Sequence, residues 1–168
     1  NTVAGNYIGT DVTGSLDFGN TTDGITMQTL TSGEVGAAYN NTIGGTAAAA
    51  RNIISVKNAD GSQINGAGSS GNVIIGNYVG LNVAGTGRIA NNLNGVFIQN
   101  GATNNRIGTD GDGVNDSLER NVISGNASGT NANVNIIGAG TMNNVVAGNY
   151  IGTIFDGSAA VTNSGRGV

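Results

Sequence analysis

Apolar residues in this chain come in short clusters, and glycine or polar residues separate one cluster from the next. Val96 and Ile98 alternate with Phe97 and Gln99, and Val73 and Ile75 alternate with Ile74 and Gly76. Such runs of β-branched or aromatic residues, bounded by Gly, Asn, Asp or Ser, predict short strands. No stretch keeps an apolar stripe at helical spacing over several turns, so almost no helix is expected. Ala47 to Ala50 is the one helix-prone run, and it is too short to sustain a helix alone.

The clusters recur in register. NVIIGNYVG at 72–80 matches NTVAGNYIG at 1–9 and NVVAGNYIG at 144–152, at offsets of 71 and 72 residues. GITMQ at 24–28 matches GVFIQ at 95–99, RNIIS at 51–55 matches RNVIS at 120–124, and GAG at 66–68 returns at 138–140. Divided in three, the long repeat gives seven units: 1–24, 25–50, 51–71, 72–95, 96–119, 120–143 and 144–168. A unit of about 24 residues is too short for a propeller blade and suits one turn of a solenoid. Strands stacked about 4.8 Å apart would then form a parallel β-helix, a rod of roughly 35 Å. The expected core is Val3, Ile8, Ile25, Met27, Ile43, Ile53, Val73, Ile75, Val96, Ile98, Ile107, Val122, Val145 and Ile151.

Asparagine sits just ahead of the aliphatic pair in unit after unit: Asn1, Asn41, Asn52, Asn72, Asn105, Asn121 and Asn144. Stacked coils would place these amides in a ladder, each donating to the next. Composition narrows the rest. Thirty-one glycines with no proline and no G-X-Y period exclude collagen. A formal net charge of −4 with six basic residues gives no phosphate-binding face, so neither nucleic acid nor a polybasic membrane contact is expected. No apolar run is long enough to insert into a membrane as a spanning helix. With no histidine or cysteine, the usual acid–base and thiol constellations are missing.

The best-marked site is the acidic segment with Asp110, Asp112, Asp116 and Glu119, which has only the bland GGTAAAA as its counterpart in the preceding repeat. Clustered carboxylates among glycines suit an oxygen-seeking cation, and Ca²⁺ is the expected ion; a solvated acidic loop is the alternative. Asp11, Asp17, Asp23, Asp60 and Asp156 fall on different turns, so no pair at glycosidase spacing is expected among them. Arg51 and Arg120 share one repeat phase and are expected to cover the turn or to pair with Glu119. Tyr7, Tyr78 and Tyr150 are expected at the core edge with their hydroxyls in water.

Together the motifs N-x-[VI]-x-G-N-Y-[IV]-G, G-V-x-I-Q, N-N-x-I-G-T and R-N-[VI]-I-S resemble the right-handed parallel β-helix repeats of large bacterial surface and secreted proteins. The resemblance implies an all-β, right-handed β-helix of about seven coils, forming a single domain over 1–168. It implies an extracellular or cell-surface location. The function expected is a non-enzymatic structural or adhesive rod, acting as a stiff spacer or filament unit. Its partners would be neighbouring solenoid coils or copies of itself joined end to end, since the chain opens inside a repeat and closes where another G-V-x-I-Q would begin. The alternative is a carbohydrate-binding β-helix or a polysaccharide lyase or glycoside hydrolase.

Overall fold

The computed structural model describes residues 1–29, 36–56, 58–126 and 129–168. Among these residues, fourteen short strands build three parallel sheets that the chain visits in rotation. The first sheet stacks β1 (Thr2–Val3), β4 (Thr42–Gly44), β7 (Val73–Ile75), β10 (Arg106–Gly108) and β13 (Val145–Ala147). The second stacks β2 (Tyr7–Ile8), β5 (Ile53–Ile54), β8 (Tyr78–Val79), β11 (Val122–Ile123) and β14 (Tyr150–Ile151). The third stacks β3 (Ile25–Gln28), β6 (Ser62–Asn65), β9 (Val96–Gln99) and β12 (Val134–Ile137). Among the described residues, helix is confined to a 3₁₀ turn at Ala48–Ala50 and one turn of α-helix, α1, at Asp116–Glu119. This is a parallel β-helix.

It has five coils where seven were expected, because each coil is longer than the division by three supposed. The register partners Thr2, Thr42, Val73, Arg106 and Val145 lie 40, 31, 33 and 39 residues apart. The 71- and 72-residue repeats therefore each span two coils. NVIIGNYVG is correspondingly not one strand but two, meeting at the Gly76-Asn77 corner.

Inward residues follow one register in each sheet. Val3, Ile43, Ile74, Ile107 and Val146 stack in the first, and Ile8, Ile54, Val79, Ile123 and Ile151 in the second. Met27, Ile64, Ile98 and Ile136 complete the core from the third. Ile74, not Val73 and Ile75, is therefore the inward residue of β7. Val146 replaces the expected Val145, which is 49% exposed. Ile53 and Val122 are buried, but on the outer face of the second sheet, in a separate cluster with Tyr78, Leu81 and Val161.

Two ladders of asparagine run the length of the coil where one was expected. In the first, Nδ2 of Asn1, Asn41, Asn72 and Asn105 each donates to Oδ1 of the next, ending on Asn144, at 2.8–2.9 Å. In the second, Asn6, Asn52, Asn77 and Asn121 do the same, ending on Asn149, at 2.9–3.0 Å. From Asn52 and Asn72 onward, each Oδ1 also accepts the backbone N–H of the previous rung, as Asn77 does from Asn52 at 3.2 Å. Buried polar groups that would otherwise be costly are thereby paired.

Glycine is obligatory where the first-sheet strands of coils two and four end. Gly44 has φ +95°, and a Cβ there would lie 1.9 Å from the Ile75 carbonyl oxygen; at Gly108 the corresponding values are +97° and 2.0 Å, from Ala147. Both a left-handed backbone and a close coil approach demand it.

Candidate functional site

The acidic segment leaves the rod just after Gly108 and returns through α1 to β11. Its shape is set by its own carboxylates. Asp116 accepts the Gly113 N–H at 3.1 Å, the Gly111 N–H at 3.2 Å and the Thr109 hydroxyl. Asp112 Oδ1 accepts the Val114 N–H at 2.7 Å, and Asp110 Oδ1 accepts the Asp112 N–H at 3.3 Å. The Thr109 hydroxyl, followed by these backbone amides and the charge of Arg106, holds the Asp116 carboxyl below its ordinary 3.8.

Glu119 is buried at the base of the loop, where Arg106 Nη1 donates to its Oε2 at 2.7 Å and the Asp110 N–H donates to the same oxygen at 3.1 Å. Arg106 Nη2 lies 3.5 Å from Asp110 Oδ2. Oxygens of Asp110, Asp116 and Glu119 fall within 4.8 Å of one another; Asp112 is not in the group. Three of the four expected ligands thus converge, with the Arg106 guanidinium among them. Glu119 pairs with Arg106 rather than with Arg120. A Ca²⁺ ion wants six to eight oxygens, and this site offers three carboxylates whose lone pairs are largely spent on N–H and O–H donors.

Arg51 and Arg120 have a different task. Each guanidinium lies 4.1 Å above the ring of a tyrosine in the following coil, Arg51 on Tyr78 and Arg120 on Tyr150. Each Nε donates to the corner carbonyl beside that tyrosine, Gly76 at 3.2 Å and Gly148 at 2.7 Å. Tyr78 is buried as a result, while Tyr7 is 45% exposed.

Two aspartates expected on unrelated turns are stacked. The Asp60 N–H donates to Asp23 Oδ1 at 3.1 Å, and Asp60 Oδ1 accepts the Asn94 N–H at 2.7 Å and Asn94 Nδ2 at 2.8 Å. Asp60 occupies an asparagine-like rung, and burial, then the neighbouring Asp23 charge, raises its pKa above the ordinary 3.8. Asp11 and Asp156 organise their own loops: Asp11 Oδ1 accepts the Ser15 and Leu16 amides at 2.9 Å each, and Asp156 Oδ1 accepts the Ser158 amide at 2.9 Å. The Thr13 hydroxyl and these amides hold Asp11 at about 2.

The outer face of the third sheet is rich in amides, with Thr26, Gln63, Phe97 and Asn135 in one register row and Gln28, Asn65, Gln99 and Ile137 in the next. No helix is long and apolar enough to cross a membrane among the described residues. The fold defines the class as a parallel β-solenoid. No protein family, curated protein or solved structure matches the chain.

Proposed function

We propose that this chain is a non-enzymatic structural or adhesive segment of a bacterial extracellular protein, a stiff β-solenoid spacer. The observation that carries the reading is the pair of asparagine ladders linking all five coils. They couple each coil to the next by side chains as well as by backbone, which resists bending and shear. The carboxylates described above are engaged in turns, in an ion pair or in a buried rung, and none of them faces another across an open groove.

Negative-stain electron microscopy with and without calcium tests this: discrete short rods are expected, and long fibres would instead make the chain an assembly unit. Incubation with acidic and neutral polysaccharides should release neither unsaturated nor reducing ends. Release of either would overturn the structural reading. The amide-rich face around Phe97 supports the second reading, carbohydrate binding without cleavage, which glycan-array binding abolished by Phe97→Ala would establish.

Calcium forms a separable part of the proposal. An ion at Asp110, Asp116 and Glu119 would have to displace Arg106. A calcium-dependent rise in melting temperature that Asp116→Asn removes would support it, and an unchanged melt would exclude it.

A further inference from the structure

The five coils are of two kinds. Coils one, three and five turn tightly from the first sheet to the second, through residues 4–6, 76–77 and 148–149, and then send out long loops before the third sheet. Coils two and four do the reverse, placing their insertions at the first corner, residues 45–52 and 109–121. The kinds interlock. The insertions of coils two and four support the tight corners of the coils before them: Ala50 O accepts the Gly5 N–H and Glu119 O the Gly76 N–H, both at 3.0 Å. Their arginines, Arg51 and Arg120, cover the tyrosine and corner carbonyl of the coils after them.

At the second corner the long loops reach each other across the intervening coil. Val83 N–H donates to Gly14 O at 2.9 Å and Phe155 N–H to Gly85 O at 3.0 Å. The packing there is close, since a Cβ on Gly85 would come within 2.7 Å of the Phe155 Cβ. These loops span two coil heights, about 10 Å at a strand spacing of about 4.8 Å. Two loop-bearing coils set directly on one another would have to pack the same loops into half that height. The tyrosine of the upper coil would also lose its arginine.

We infer that the unit of this solenoid is a pair of coils, and that the Arg–Tyr stack and the alternating corners specify which coil is accepted next. The inference rests on the spacer reading and deepens it: the rod changes length only in two-coil steps. Coil order is then fixed by residues on the outer surface, since both asparagine ladders and the inward aliphatic columns pass through the two kinds of coil alike.

Two insertions into the full chain separate these roles. One repeats residues 73–144 after Asn144 and adds a coil of each kind; the other repeats residues 73–105 after Asn105 and sets two loop-bearing coils together. Both rejoin an asparagine to a first-sheet strand, so the ladders stay in register. The two-coil variant should melt cooperatively near the parent and lengthen by about 10 Å in solution scattering. The one-coil variant should melt roughly 10 °C or more below it, or fail to fold. A one-coil variant as stable as the two-coil variant, or failure of both, would overturn the inference. A double-mutant cycle on Arg51→Ala and Tyr78→Leu should give strongly non-additive melting shifts; additive shifts would remove the Arg–Tyr stack from the mechanism. Polysaccharide cleavage would sink the spacer reading while leaving these melts untouched.

Discussion

The ladders can be weighed by cutting a middle rung. Asn77 accepts the Asn52 N–H at 3.2 Å and Asn52 Nδ2 at 2.9 Å, and donates to Asn121 Oδ1 at 3.0 Å and to the Ile43 and Ile75 carbonyls at 2.9 Å each. Asn77→Leu removes all five contacts while keeping the branching and heavy-atom count of the side chain. Some groups keep a second partner: Asn52 Nδ2 still reaches Val3 O at 2.8 Å, and Asn121 Oδ1 still accepts the residue-77 N–H at 3.0 Å. The Asn52 N–H is left buried without an acceptor, which costs about 1–3 kcal/mol, and each neutral bond lost adds about 1 kcal/mol at most. A total of about 3–5 kcal/mol follows, a large share of the roughly 5–15 kcal/mol that holds a domain together. Asn1→Leu is the control, because Asn1 is exposed and makes a single ladder bond; its cost should stay under about 1 kcal/mol. Urea unfolding followed by far-UV circular dichroism measures both through the shift in midpoint at constant slope. Equal, small shifts for the two variants would refute the idea that the ladder stabilises the rod.

Three further outcomes are expected. Ser62 points inward between Ile25 and Val96, and its buried hydroxyl has no partner among the described residues; Ser62→Ala should stabilise the fold by about 1 kcal/mol, seen as a higher urea midpoint, and a loss of that size would show that the hydroxyl is paired after all. Asp60 has a raised folded pKa, so its protonated form favours the fold: its penalty is absent well below the unfolded value of 3.8 and grows as pH rises through the folded value. Asp60→Asn should therefore raise the melting temperature at neutral pH and leave it unchanged below that value, as calorimetry across pH would reveal. Arg106→Met leaves buried Glu119 with only the Asp110 amide and should cost about 1–3 kcal/mol. Limited proteolysis should then cut within 109–119 faster, and adding Glu119→Gln should restore much of the loss.

The sequence carried the architecture further than the parity. Recurrence of NVIIGNYVG marked a stacked coil with in-register strands, and the asparagine phase marked a ladder. The coil count went astray at Gly76-Asn77, where a two-residue corner hides between two strands that read as one. That corner also concealed the second ladder, whose members Asn6, Asn77 and Asn149 stand in the G-N-Y triplet. Inward parity at Ile53-Ile54 and Val122-Ile123 was unreadable because the outer face of the second sheet is itself buried in a cluster with Leu81 and Val161, so aliphatic residues occupy both sides and alternation disappears. At the acidic segment, spacing alone found Asp110, Asp116 and Glu119. The pairing of Arg106 with Glu119 was not legible, because Arg106 projects outward from a strand of the rod and only the fold brings it beneath the loop.

The direction of the ladder bonds gives the rod a polarity that its repeating outline conceals. In both ladders the bonds from one asparagine to the next all run one way, from the Nδ2 of each rung to the oxygen of its C-terminal neighbour, while Asn52, Asn72, Asn77, Asn105 and Asn121 also donate back to a carbonyl of the preceding coil. Aligned amide dipoles add along a chain of hydrogen bonds and polarise one another. The side chains of this solenoid thus build a field along its axis, positive toward coil five and negative toward coil one, much as peptide groups do in an α-helix. A charged group approaching along the axis would meet two electrically different faces.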